Sequence, residues 1–168
     1  MFNNLIFLLT FLATLGSGLM AGFFFAFSTP VMGALGRLPT APGIAAMQSI
    51  NILVINPLFL GVFLGTAAAC VLLAVAALFT WHEPGALALI AGALLYFVGT
   101  LLVTMFFNVP LNDALAAVAP DSSEGASLWS RYLITWTNWN HVRTIAALAA
   151  SAVLTIALCL QARGAAAV

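Results

Sequence analysis

Four apolar stretches, at residues 5–27, 53–80, 86–107 and 142–160, constrain this chain more than anything else in its sequence. Each is long enough to cross about 30 Å of hydrocarbon at about 1.5 Å of rise per residue. None carries Asp, Glu or Lys in its middle, and only His141 and Arg143 lie near the end of one. Within lipid every backbone polar group must be satisfied inside the segment, so such runs read as transmembrane helices. The composition agrees. Hydrophobic residues make up 64% of the 168 residues and charged residues 5%, against about 25% charged in a soluble domain. Lysine is absent, and the cations are Arg37, Arg131, Arg143 and Arg163. With no basic run to neutralise phosphates, nucleic acid is excluded as a partner. The lipid bilayer is the expected one.

The stretches predict an all-α fold: an integral membrane four-helix bundle formed as a single domain over residues 1–168. The first stretch lacks a basic start and exceeds the 7–15 residues of a secretory core, so it reads as a retained span. The second and third stretches are joined by Trp81-His82-Glu83-Pro84-Gly85, which makes them antiparallel neighbours. Two longer connections, 28–50 and 108–140, then lie on one side of the membrane, with both termini and the short loop on the other. In the last long loop, Asp121-Ser122-Ser123-Glu124 reads as a helix start with Asp121 capping. Leu128, Trp129, Tyr132, Leu133 and Trp136 follow at helical spacing. An additional amphipathic helix is expected there, with an interfacial aromatic belt as the simplest role for its rings. Small residues four apart (Gly18 and Gly22, Gly61 and Gly65, Ala88 and Gly92, Ala146 and Ala150) are expected to mark helix contacts. Cys70 and Cys159 sit in apolar surroundings and read as small hydrophobes rather than a disulfide. Arg37 and Arg131 on the long-loop side, with Arg143 at the helix edge, outnumber Arg163 and favour a cytoplasmic long-loop face. The expected location is a bacterial cell membrane.

The polar side chains are unevenly placed. Gln48, Asn51 and Asn56 start the second stretch; Asn108, Asn112 and Asp113 end the third; Asn138, Asn140, His141, Arg143 and Thr144 start the fourth. All fall on the long-loop side. Polar groups at membrane depth are costly unless they find partners or line a cavity. Thr104, Asn108 and Asn112 share a helical face, as do Trp136, Asn140 and Thr144, so a pocket between helices is expected. For any single amide here, capping or helix-to-helix bonding is the commoner role. His141 with Arg143 beside amides and tryptophans reads instead as a general base with an anion stabiliser. A histidine metal site is disfavoured, because the second histidine, His82, lies across the bilayer, roughly 30 Å away. A lone His can ligate haem iron from one side, but no other residue argues for haem.

Four segments carry a resemblance: Gly22-Phe23-Phe24-Phe25-Ala26-Phe27-Ser28 with Val31-Met32, Met47-Gln48-Ser49-Ile50-Asn51, Phe107-Asn108-Val109-Pro110-Leu111-Asn112, and Trp136-Thr137-Asn138-Trp139-Asn140-His141-Val142-Arg143-Thr144. Together they resemble the anthrone oxygenase-like family of small four-helix membrane proteins, many of them without assigned activity. The resemblance implies that Asn108, Asn112, Asn140, His141 and Arg143 matter together. It also implies an oxygenase acting on a lipophilic, anthrone- or quinol-like aromatic. Such a substrate has an acidic methylene whose carbanion reacts with oxygen directly, so molecular oxygen is the co-substrate and no cofactor is required. On chemical grounds His141 is the candidate base and Arg143 the catalytic anion holder. Gln48, Asn51, Asn108, Asn112 and Asn140 are candidate substrate-binding amides, and Trp136 and Trp139 candidate stacking platforms. Two alternatives use the same residues without chemistry: a membrane protein that binds a small hydrophobic ligand, and an accessory subunit.

The topology is testable alone. With Cys70 and Cys159 removed, single cysteines at positions 3 and 163 should react with an impermeant thiol reagent from the same side of the membrane. Labelling from opposite sides would refute the arrangement.

Overall fold

In the computed structural model, which describes residues 2–166, four helical spans are long and apolar enough to cross a bilayer: Asn4–Leu35, Pro57–Phe79, Ala86–Ala116 and Ser123–Gly164. The first comprises α1 (Phe2–Ala26), a π-helical turn (Phe27–Val31) and α2 (Met32–Leu35). Helix α3 (Thr40–Leu53) is additional to the spans. Helix α4 (Pro57–Phe79) is the second span. The third runs from α5 (Ala86–Tyr96) through π-helical turns at Phe97–Leu102 and Thr104–Asn108 into α6 (Val109–Ala116). Helix α7 (Ser123–Ala166) is the fourth. The chain is thus an all-α four-helix bundle with an additional helix. Round the bundle α1 packs on α4 and α7, and α5 packs on the same two.

The topology follows the expectation. Gly85, at φ +94°, makes the tight turn between α4 and α5 in a left-handed conformation that favours glycine. Asn4, Glu83 and Gln161 line one cavity, so both ends of the chain meet at the short loop.

Helix α7 organises the rest. Trp129, Trp136, Arg143, Ala150 and Ala157 recur every seven residues, and with Tyr132, Asn140, Ala147 and Leu154 they form its buried seam. That is the period of left-handed bundle packing. Its 44 residues extend about 66 Å, roughly twice the hydrocarbon thickness. The outer face changes along its length. Arg131, Thr135, Asn138 and His141 are exposed and polar; Val142, Ile145, Leu148 and Ile156 are exposed and apolar. Exposed polar residues thus give way to exposed apolar ones near His141, with Ile134 an exposed apolar residue on the polar side. Before His141, the first half of α7 packs with α2, α3 and α6 around a second core that includes Met32, Ile44, Met47, Leu115, Trp129 and Tyr132. The segment expected as an amphipathic helix is helical and amphipathic, and it continues unbroken into the fourth span. Its cap is Ser122, whose hydroxyl accepts from the Gly125 N–H at 2.9 Å, rather than Asp121.

Two prolines shape the long-loop end. Pro30 and Pro110 lack an N–H and crowd the carbonyl four residues back. The chain answers with wider turns: the Met32 N–H bonds the Phe27 carbonyl and the Val109 N–H bonds the Thr104 carbonyl. Helix contact falls on small residues other than several of those expected. Gly22, Gly61 and Gly65 have no heavy atom within 4 Å of an added Cβ, whereas Cβ atoms at Gly92 and Gly99 would meet Leu154 at 2.7 Å and Ala146 at 2.5 Å. Spacing alone marks small residues; only the rotation of each helix decides which face its neighbour.

Gly99→Ala should therefore destabilise the bundle by about 1–3 kcal/mol, and Ala146→Gly should restore part of the loss. Thermal unfolding in detergent checks both; an unshifted Gly99→Ala protein would refute the close approach.

Candidate functional site

The predicted polar residues mostly converge, and they do so by bonding one helix to another. Gln48 on α3 donates through Nε2 to the Leu115 and Val118 carbonyls at 2.8 and 3.0 Å, closing the end of α6. Asn112 on α6 accepts through Oδ1 from the Tyr132 hydroxyl at 2.7 Å and from Trp136 Nε1 at 2.8 Å. Asn51, further along α3, leaves its Nδ2 buried without a hydrogen-bond partner. Asn108 donates to the Trp136 carbonyl at 3.2 Å. Asn140 donates to the Phe24 carbonyl at 2.7 Å and to Ser28 Oγ at 2.6 Å, tying α7 to the first span at its π turn. Asn56 stays outside this network. Its side chain accepts from the Phe59 N–H at 3.0 Å, capping α4 in an exposed position.

At the centre lies Arg143, only 5% exposed. Its Nη2 donates to Asn140 Oδ1 at 2.6 Å and its Nη1 to Thr104 Oγ1 at 3.2 Å. The guanidinium sits 4.4 Å from the centroid of the Phe24 ring and 5.2 Å from that of Trp136, close enough for cation–π attraction. Several polar atoms at this end of the bundle are buried and unbonded, among them Arg143 Nε, a donor, Asn108 Oδ1, an acceptor, and Asn51 Nδ2, a donor. The chain's four acids, Glu83, Asp113, Asp121 and Glu124, are all exposed. Among the described residues, then, Arg143 is buried with no counter-charge. A buried charge is expensive unless paired and fully hydrogen-bonded, and Arg143 has neither.

His141 is placed differently from the expectation. It is exposed on the outer face of α7, whereas Arg143 points into the bundle. Residues two apart on an α-helix lie about 200° round the axis from each other, so His-Val-Arg cannot present both side chains to one pocket. The partners of Arg143 are instead three, four and seven residues from one another: Trp136, Asn140 and Arg143 share the buried seam. Trp139 stands at the edge of the layer, half-buried, stacked on Phe107 with centroids 3.7 Å apart and planes 16° from parallel. Sequence reasoning did not assign Phe24, Ser28, Tyr132 or Phe107 to the site; the seven-residue period through Trp129, Trp136 and Arg143 was the available signal for the inner ones.

The two cavities described lie away from this layer. One, of about 570 Å³, opens at the short-loop end beside Glu83 and Gln161. The other, of about 400 Å³, is a groove between α1 and α4 beside Gly16 and Gly61. Among the described residues no three His, Cys, Asp or Glu side chains come together in a metal-binding group.

Fold and layer together define a small integral membrane protein with a bundle of four spans and a buried polar layer near one boundary. The sequence model of the anthrone oxygenase family matches residues 59–153, more than half of the chain, and the chain belongs to that family. The matched region contains Asn108, Asn112, Trp136, Trp139, Asn140, His141 and Arg143; Gln48 and Asn51 precede it. No curated protein and no solved structure matches the chain.

The layer generates a stability contrast. Arg143→Met removes a buried unpaired charge and keeps the apolar stem, so the unfolding temperature should hold or rise. Asn140→Ala strips Arg143 of its shortest bond and breaks the tie to the first span, so it should fall. A fall with Arg143→Met would show that the charge itself holds the bundle together.

Proposed function

We propose that this chain is a membrane-embedded oxygenase of a lipophilic anthrone- or quinol-like aromatic, with Arg143 holding the substrate anion. One observation carries the reading: a guanidinium buried among aromatic rings, without an acid partner and with one N–H unbonded. An anionic oxygen from a flat ring system would supply the missing charge and bond, and ring faces around Arg143 would receive its plane. For an anthrone, loss of a methylene proton gives a carbanion whose charge rests largely on the ring oxygen. A fixed guanidinium stabilises that anion most strongly in a water-poor setting. The carbanion then reacts with molecular oxygen. One oxygen atom stays as the new ring carbonyl and the other leaves as water, carrying the second methylene hydrogen and the displaced proton. In this proposal the proton passes to solvent at the boundary rather than to His141 inside the layer, because His141 faces outward. Asn140 fixes the guanidinium, and Asn108 offers an acceptor to a hydroxylated form of the substrate. Gln48 and Asn112 hold the helices that frame the layer.

A second reading is favoured by a specific observation too. Asn108, Asn112, Asn140 and Gln48 each bond between helical segments, as a helix-locking network would, with Arg143 serving only to complete it. Such a protein would bind a hydrophobic ligand or a partner without chemistry.

Oxygen uptake by the purified protein in lipid nanodiscs with added anthrone separates the readings. Arg143→Lys should lower turnover roughly 100-fold or more, since Lys keeps the charge but loses the planar fork. Asn108→Ala should cost less, and His141→Ala should cost little. No uptake by the wild-type protein above the protein-free rate would overturn the oxygenase reading. Turnover that fails in His141→Ala but survives in Arg143→Lys would return the central role to His141.

A further inference from the structure

Where the four spans end on the short-loop side, the bundle holds a cavity of about 570 Å³, a volume within the range of small-molecule sites. Every span end contributes to it. Asn4 and Phe7 come from the first span, Thr80 from just past the second, Leu89 from the third, Gln161 from the fourth, and Glu83 from the short loop. The cavity is remote from the polar layer, since about 27 Å of α7 separates Gln161 from Arg143. It also belongs to this chain more than to the family. Asn4, Phe7 and Gln161 lie outside residues 59–153, the region that the family model matches.

The wall that carries Glu83 is fixed on both sides. The Glu83 N–H donates to the Thr80 carbonyl at 2.9 Å, and the Ala86 N–H donates to the Glu83 carbonyl at 3.2 Å. The turn then rests on the end of α7. A Cβ at Gly85 would meet the Ala157 carbonyl oxygen at 3.1 Å, and one at Gly164 would meet Pro84 Cγ at 3.2 Å. A loop held this closely presents its carboxylate from a set position.

The lining sorts by chemistry. Among the described residues Glu83 is its one charged residue; neither His82 nor Arg163 lines it, although each adjoins a residue that does. A carboxylate only accepts hydrogen bonds. Thr80 Oγ1 donates its own proton to the Ala76 carbonyl at 3.0 Å, so towards a ligand it accepts too. Gln161 Oε1, a third acceptor, is buried without a hydrogen-bond partner, and the broad terminal torsion of an amide lets it turn towards a ligand. Ile6, Phe7, Ala86 and Leu89 supply apolar surface. Acceptors and a negative charge at the span ends, with hydrocarbon beside them, fit a ligand that carries N–H donors and a positive charge on an apolar body. An anion would face Glu83 as a like charge.

We infer that this cavity binds a primary ammonium on an apolar body. The ammonium donates to Glu83, Thr80 Oγ1 and Gln161 Oε1, and the body packs on Phe7 and Leu89. The headgroup of phosphatidylethanolamine and a free lipophilic amine share this chemistry. Nothing in the site depends on the oxygenase reading, and its occupant is not the proposed substrate.

The full chain in phosphatidylcholine nanodiscs is titrated calorimetrically with three probes, and protein-free nanodiscs give the baseline for partition into lipid. Phenylbutylamine carries charge and donors, phenylbutanol has the same body without charge, and phenylbutyltrimethylammonium has charge without N–H groups. The amine should give saturable heat, and the other two should bind about tenfold or more weakly, as expected for loss of charge-assisted hydrogen bonds. Glu83→Gln should weaken the amine by about tenfold or more, and Gln161→Leu by less. Glu83→Asp, which keeps the charge, should retain part of the affinity. Asn138→Ala, at the far end of the bundle, should change nothing. Native mass spectrometry of protein from mixed phosphatidylcholine and phosphatidylethanolamine nanodiscs separates the two sources. Phosphatidylethanolamine retained by the wild type and lost from Glu83→Gln assigns the lipid headgroup; amine binding without such retention assigns a free amine. No saturable heat with the wild type, equal affinity for amine and alcohol, or undiminished amine binding in Glu83→Gln would overturn the site. The three-probe comparison needs only the wild type, so it decides the matter even where a variant fails to fold.

Discussion

A guanidinium held in a low-dielectric layer without a counter-charge is the constraint round which the long-loop half of this protein is arranged. On insertion scales a single Arg at mid-helix costs about 2.5–3.5 kcal/mol. The chain offsets that cost with a short bond from Asn140, a bond from Thr104 and the faces of Phe24 and Trp136. Each partner is in turn fixed by something else. Asn140 is oriented by Phe24 and Ser28, Thr104 by its own bond to the Thr100 carbonyl, and Trp136 by Asn112. The result is a charge held in one place yet incompletely satisfied, with its Nε unbonded.

The prolines belong to the same arrangement. In an unbroken α-helix the first span would keep its carbonyls engaged, and the third would carry its side chains past Pro110 without adjustment. The π turns at Phe27–Val31 and Thr104–Asn108 lie where Ser28, Thr104 and Asn108 meet α7. Single π turns inside helices often mark functional positions, and here they let two spans present polar groups to one layer. Membrane depth matters as well. The polar-to-apolar change on α7 near His141 puts Arg143 on the apolar side of that change, where a charge acts more strongly than in water.

Much of the fold was legible because lipid imposes a one-dimensional rule: a span must be long and apolar, and each was. The short Trp81–Gly85 connection fixed which spans are antiparallel neighbours. The side of the membrane holding the polar residues followed by counting spans. Less was legible in the site. Asn108, Asn112, Asn140 and Arg143 do share a layer, as their spacing implied, but His141 does not. Adjacency in the string His-Val-Arg suggested partnership, whereas helical rotation separates the two by more than half a turn. Of the amides expected to line a pocket, Gln48, Asn108, Asn112 and Asn140 bond carbonyls and rings on neighbouring helices.

The sequence by itself determined the class of environment, the number of spans, their up-and-down order and the gathering of polar groups at one end. Those properties depend on local length and composition, which no neighbour can change. Tertiary structure decided which face of each helix meets another, and hence that Gly92 and Gly99 make close contact while Gly61 and Gly65 do not. It decided that Arg143 is buried and His141 is not, and that Phe107 stacks on Trp139. Rotation about a helix axis is set by the packing of all four spans at once, and its effect on any one side chain is invisible until the neighbours are in place.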